Sequence, residues 1–491
     1  MYRRQFLKTL AAGAAAVSPV LNSTHAFANP APVDLIIGKR TLDVNGKAAT
    51  VFGLADRSGR PGLVLDAGSN FDVRLLNESS EDTLIHWHGL TPPWNMDGVP
   101  ENPAALLTAR ESRDYTFPVG PGGTHWMHAH TLQEQSLLAA PLIVRTAEDR
   151  ARDEQEVVIL LHDFSFKSPE ELLDALKNGN SGHGGMQSGH QSMMQMMTNM
   201  QGHQMPMTGM STMSMPMKGM SSTDLNDIEY DAYLANDRTL DDPEVVRVEK
   251  SGRIRLRIIN GATATAFTID IGQIFFFFKQ KTAYEIVPLS ASRFPISMGQ
   301  RIDIRLQLPA HTGSYPILAL REGARERTGI ILATSDAAVE KLAAKASEAG
   351  PVLDLGMERQ FRAAAPLPAR SPDHQYTVTL TGDMAAYAWG IDPSAPLRVS
   401  QNKRVRLTMR NMSMMAHPMH LHGHHFQVVR ANGQDIGGAV RDTVLLTPMA
   451  EVAVEFDTVN PGRWPLHCHH LYHMATGMMT YITYGEARRG E

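Results

Sequence analysis

Short apolar runs broken by polar residues, and bounded by Gly, Asn and Pro, recur along most of the chain. In 71–75 (Phe-Asp-Val-Arg-Leu) the apolar side chains fall at every second position, the period of a strand with one buried face. Residues 35–37, 141–144, 157–161 and 254–259 predict further strands, as do 376–380, 405–409, 426–429, 452–456 and 479–483. Many short strands with turn punctuation predict an all-β chain of sandwich or barrel domains. At 491 residues, about three domains of roughly 150 residues are expected. The pattern places them at 33–147, 153–335 and 351–486.

Helical signals are few. Ser168 is a helix N-cap, with Pro169 at the first position, Glu170 and Glu171 near the positive end, and Gly179 as the stop. Residues 336–349 predict a connecting helix, with Val339, Leu342 and Ala343 on one face and Gly350 after it.

Two stretches inside the second domain break the β pattern. Residues 181–222 are Met, His, Gly, Ser and Gln with almost no aliphatic side chain, a composition that builds no core. Met193, Met194, Met196, Met197, Met205, Met207, Met213, Met215 and Met217 crowd thioethers together, with His183, His190 and His203 among them. Soft thioethers select Cu(I), and imidazole also binds copper. The insert therefore reads as a collector of additional labile Cu(I), with a plain low-complexity linker as the alternative. In 275–286, four consecutive phenylalanines abut Lys-Gln-Lys-Thr-Ala-Tyr-Glu-Ile. The codons TTC AAG CAG AAG ACG GCA TAC GAG AT, preceded by oligo-T, would encode this string, and that nucleotide string looks like a short-read sequencing adapter. The stretch therefore reads as a sequencing artefact that replaced genuine sequence, with a real but unusual strand as the alternative.

Residues 1–28 read as an export signal. Arg3 and Arg4 open a twin-arginine motif, an apolar run follows, and Ala26-Phe27-Ala28 is an A-x-A cleavage site. The apolar run is too short to span a membrane. The implied partner is the Tat export machinery, and the expected location of the mature protein is the periplasm. A net charge of −5 with no large basic patch argues against nucleic acid as a partner.

The candidate chemistry lies in histidine pairs. His86-Trp87-His88, His128-Ala129-His130, His420-Leu421-His422 and His467-Cys468-His469 each present two imidazoles on one strand face. Four pairs supply eight imidazoles, enough for a cluster of several metals. Cys468 is the only cysteine, so it forms no internal disulfide. It faces away from His467 and His469. With His473 and Met478 it supplies thiolate, imidazole and thioether, the ligand types of a blue-copper site. One strand would thus join that site to the cluster.

These four stretches resemble the copper-binding motifs of the multicopper oxidases, over nearly the whole mature chain. The resemblance implies three cupredoxin-like Greek-key domains and four copper ions. It implies type-1 copper at His417, Cys468, His473 and axial Met478, and type-2 copper at His86 and His420. It implies a type-3 pair at His88, His128, His130, His422, His467 and His469. The activity implied is one-electron oxidation of a substrate coupled to reduction of dioxygen to water.

Asp97 matches an acid the family places near type-2 copper for proton delivery, with a turn aspartate before Gly98 as the alternative. Asp442 is read as an acidic handover point beside the type-1 site, or as a structural turn residue. The twin-arginine signal, the Met-rich insert, Gln133-Glu134-Gln135 and Tyr472-His473-Met474 are most similar to the copper-resistance oxidases. Cu(I) is then the expected reductant, with small phenols as the laccase-type alternative. Some cuprous oxidases carry a relay glutamate where this chain has Met474. A non-catalytic copper store would need only the insert. A copper nitrite reductase would not need four histidine pairs.

Overall fold

The computed structural model describes residues 32–179, 225–272, 284–285 and 292–485. The export signal, the insert at 181–222 and most of 275–286 lie outside them. Of the last stretch only the backbone of Tyr284–Glu285 is described, paired with Arg362–Ala363.

The larger sheets fall into three pairs in chain order, and each pair repeats one pattern. An early long strand lies parallel to a later one: Val33–Val44 with Asn70–Asn77, Gln155–Phe164 with Arg253–Asn260, and His374–Asp383 with Arg404–Asn411. A second sheet packs on each, giving three cupredoxin-like sandwiches with separate apolar cores. Alternation decides the faces. Phe71, Val73 and Leu75 are fully buried, while Asp72, Arg74 and Leu76 between them are partly exposed.

Strand Arg253–Asn260 is an exception, buried on both faces. Arg255 and Arg257 turn inward and pair with Asp303, Asp149 and Glu156. Asp149 sits in helix Ala147–Ala151 at the end of the first sandwich, so this ion cluster joins the first two units. Buried charges persist only when paired in this way.

Helix Pro169–Lys177 forms as its signals predict. Ser168 and Glu171 exchange capping-box hydrogen bonds, a device whose Ser→Ala loss costs about 1 kcal/mol. Its Leu172 and Leu176 belong to the apolar core of the third sandwich.

The helix expected at 336–349 is absent. That segment runs extended beside the hairpin at 325–327, where Arg327 N donates to Ala344 O and Ala346 N to Arg325 O. Its apolar stripe meets no core: Val339 is exposed, so the helix-like spacing had nothing to pack against.

Register delivers the histidines. In the first sandwich, Ile85–His88 pairs with Gly123–Ala129 so that His86 lies opposite His128. In the third, His417–Leu421 pairs with Arg463–Cys468 so that His420 lies opposite His467 and Met419 opposite Cys468.

Candidate metal centre

The histidine strands of the first and third sandwiches face one another, and all eight imidazoles of the four pairs are buried. Among the described residues they form overlapping groups: His86, His88 and His128; His86, His420 and His422; His130, His422 and His467. A separate group holds His417, Cys468 and His473.

Most of these rings spend one nitrogen on an acceptor, which fixes the tautomer and leaves the other as a lone pair. His86 Nδ1 donates to Asp97 O and His420 Nδ1 to Asp442 O, both at 2.9 Å. Their Nε2 atoms are buried without a hydrogen-bond partner, as is Nε2 of His128. His128 Nδ1 donates to Glu134 Oε2 at 3.0 Å, and His422 Nδ1 to Asp97 Oδ2 at 2.8 Å. His467 Nδ1 donates to Cys468 O. His88 is turned the other way: Nε2 donates to Asp442 Oδ1 at 3.1 Å, and Nδ1 faces His469 Nε2 at 3.3 Å.

This wiring tests the fit to a metal. His422 Nε2 and His467 Nε2 lie 2.9 Å apart, yet each ring has already donated through Nδ1. Two lone pairs at that distance repel unless a cation sits between them. The same holds for His417 and His473. Their Nδ1 atoms are 3.1 Å apart, while Nε2 of His417 donates to Ser413 Oγ at 2.7 Å and Nε2 of His473 to Asp227 Oδ2 at 2.9 Å. Cys468 Sγ lies 3.7 and 3.8 Å from these two Nδ1 atoms. Met478 is fully buried, and backbone bonds from Met478 N to His473 O and from Cys468 N to Met478 O hold it beside the group.

Electrostatics agree. Burial, reinforced by neighbouring imidazoles, holds His420, His422 and His469 well below the usual range and pushes His467 down to about 3. Neutral imidazole is the form a metal needs. Burial pushes the Cys468 thiol up, so a metal must displace its proton to gain the thiolate.

Asp97 lies where its motif suggests, fully buried, with Oδ2 on His422 and Oδ1 making no hydrogen bond. Asp442 does not. It does not line the His417–Cys468–His473 group. Its carboxylate is buried against His88 and forked by Arg301, with Nη1 at 2.6 Å and Nη2 at 2.5 Å. The backbone carbonyl that receives His420 turns this side chain toward the histidine cluster, so the handover role is corrected.

Several polar contacts escaped the sequence reading. Asp227, a few residues after the insert, touches His473 and accepts a hydrogen bond from Tyr387. His470 stacks on His473 at 3.7 Å between ring centroids, with Trp389 close to His473 at 4.0 Å. Glu134 shares a small cleft with Met474, His128 and His469, so a carboxyl reaches that cleft although position 474 lacks one. Burial, with Asp163 nearby, holds Glu134 well above the usual carboxyl range. Only the Gln-Glu-Gln run hinted at it.

Fold and site together define a protein of three cupredoxin-like sandwiches, with groups of buried histidines able to hold metal where the first and last meet. Three family models described as multicopper oxidase match residues 37–149, 155–337 and 369–488. The chain is 29% identical to multicopper oxidase MmcO of Mycobacterium tuberculosis, over 97% of this chain and 92% of that one. It is 24% identical to a copper resistance protein A homolog of Pseudomonas syringae pv. tomato, over 98% of each. Fet3p, solved as a multicopper oxidase that functions in iron import, superposes with a TM-score of 0.68 at 16% identity, covering 92% of this chain and 90% of that one. The laccase from Botrytis aclada gives 0.67 at 18%, covering 94% and 89%. The chain belongs to the multicopper oxidases. It is a copper-dependent oxidoreductase with dioxygen as acceptor. Among the described residues no helix is long and apolar enough to cross a membrane.

Proposed function

We propose that this enzyme oxidises Cu(I) to Cu(II) in copper tolerance, in the periplasm after Tat export, with phenols as secondary reductants. Four Cu(I) ions and one dioxygen, with four protons, give four Cu(II) ions and two waters. The resident coppers, one type-1, one type-2 and a type-3 pair, supply one-electron steps and the dioxygen-reducing centre. His417, Cys468, His473 and Met478 would hold the first; His86 and His420 the second; His88, His128, His130, His422, His467 and His469 the pair. The observation that carries this assignment is the set of facing lone pairs whose outer nitrogens are already committed.

The remaining residues have roles by position. Ser413 and Asp227 fix the rings of His417 and His473, and their polar atoms are the outward links from that site. Exposed Met412 and Met414, whose thioethers suit Cu(I), flank in sequence the Ser413 that bonds His417 Nε2. Asp97 Oδ1, without a hydrogen bond and 3.4 Å from His86 Nδ1, is the atom to hold or pass a proton between His86 and His422. The insert at 181–222 adds labile Cu(I) sites in this reading, and the copper-resistance relatives support the choice of substrate. Oxygen uptake by copper-loaded protein, with Cu(I), a phenol and a diamine compared, tests it. Uptake with the phenol but none with Cu(I) leaves a laccase; uptake with none of the three leaves a copper store.

A further inference from the structure

The central sandwich contributes none of the residues proposed as ligands, yet one of its turns reaches the histidine cluster. Gly299, Gln300 and Arg301 open strand Arg301–Gln307. Gly299 has φ +76°, and a Cβ there would lie 2.5 Å from Cδ2 of His469, so the turn backbone packs directly on that ring. Gln300 Nε2 donates to Thr443 O at 3.3 Å.

Arg301 makes the most contacts of the three. Its Nε donates to Thr124 O of the first sandwich at 3.0 Å, and Nη1 to Gly299 O of its own turn at 3.1 Å. Nη1 and Nη2 fork both oxygens of Asp442 in the third sandwich. One guanidinium thus ties three units at one point. Asp442 in turn receives His88 on its carboxylate and His420 on its backbone carbonyl.

We propose that Arg301 is a positioning residue for the trinuclear cluster, holding Asp442 so that His88 and His420 present Nδ1 and Nε2 to their metals. This rests on the assignment of those two histidines as copper ligands. A buried carboxylate left with only neutral imidazole and hydroxyl partners is strongly disfavoured. Without the guanidinium, Asp442 would have to swing toward water and release His88. Only arginine has the planar fork that meets both oxygens while a third nitrogen reaches Thr124 O.

The test uses copper-loaded full-length protein: wild type, Arg301→Met, Arg301→Lys, Asp442→Asn, the Arg301→Met/Asp442→Asn double variant, and Arg321→Met. The last breaks a different ion pair of the same sandwich, between buried Arg321 and exposed Glu229. Type-2 copper is read by its EPR hyperfine pattern and by retention against a chelator; the blue band reports the type-1 site and the fold. Arg301→Met should weaken type-2 retention by about tenfold or more, the usual effect of losing an outer-shell partner, with the blue band kept. Arg301→Lys should recover part of it, and the double variant should be no worse than Arg301→Met. Arg321→Met should lower Tm without altering the type-2 signal. Wild-type retention and EPR in Arg301→Met overturn the proposal. So does parallel loss of blue and type-2 copper, which marks a general loss of fold. A blue wild type without any type-2 signal overturns the assignment of His86 and His420 itself, and this inference with it.

Discussion

Asp97 and Asp442 hold each other's domain. Asp97, in the first sandwich, receives its own His86 on the backbone carbonyl and His422 of the third sandwich on its carboxylate. Asp442, in the third, receives its own His420 on the backbone carbonyl and His88 of the first on its carboxylate. The exchange is reciprocal, but the surroundings differ. Although burial opposes it, Arg301 with His88 holds the Asp442 carboxyl well below the usual range. Asp97 Oδ1 is left without a hydrogen bond. The two acids therefore share an orienting task, and the second oxygen of Asp97 makes no hydrogen bond, lying 3.4 Å from His86 Nδ1.

That difference separates two substitutions at one position. Asp97→Ala removes the acceptor of His422 Nδ1 and should weaken copper retention against a chelator by about 10- to 100-fold. Asp97→Asn keeps an amide oxygen to accept from His422, so it should retain copper near the wild-type level while dioxygen turnover falls. Copper content and the rate of reoxidation by dioxygen check both. If Asn loses copper as badly as Ala, the carboxylate matters for binding alone.

Cys468→Ser should abolish the intense visible band and substrate oxidation together, because the thiolate gives the colour and leads the electron onward. The histidines of the cluster reach their acceptors through other atoms, so EPR-visible type-2 copper should remain. A blue Cys468→Ser protein would remove Cys468 from the type-1 site.

The grouping of the histidines was legible because strand alternation and histidine spacing are local. The register of His420 opposite His467 and of His86 opposite His128 then follows from sheet pairing. What was not legible came from long-range packing. Asp227 meets His473, and Arg301 meets Asp442, across sandwich boundaries that no periodicity encodes. Asp442 was misplaced for the same reason: the sequence places it near His420 and His422 but not which way its side chain turns. The 336–349 helix failed because amphipathic spacing shows that a segment could form a helix, not that a core awaits it.

A pH test lies away from the metal centre. Burial pushes Glu322 up to about 7 from 4.5, while Leu353 N donates to its Oε1 at 2.7 Å. Between these values the folded chain binds a proton that the unfolded chain has released. That stability is present below about pH 4.5 and lost as pH rises through 7. Ionised Glu322 then costs about 3 kcal/mol at pH 8. Glu322→Gln keeps an oxygen for Leu353 N and has nothing to ionise. Its Tm should exceed that of wild type at pH 8, with the gap closing by pH 5. A gap that does not change with pH would show that Glu322 titrates alike in the folded and unfolded chain.

Deleting 181–222 should impair Cu(I) oxidation much more than phenol oxidation. A phenol need only reach the edge of His417 or His473 to give up an electron. Cu(I) must first be held, and thioethers suit it better than carboxylate or water. The described chain resumes at Leu225, and Asp227, two residues on, already bonds His473 Nε2. A tethered set of weak sites raises the local concentration of its ion, at a loop-closure cost that grows slowly with length. The sandwich should tolerate the cut, because helix Pro169–Lys177 and strand Ala232–Ala235 on either side have their own partners. Joining 180 to 223 directly therefore leaves Asp227 free to find its place. Steady-state kinetics of both reactions, with copper content matched between the proteins, decide the matter. Loss of Cu(I) turnover with phenol turnover kept supports the collector; equal loss of both, or of neither, leaves the insert a linker.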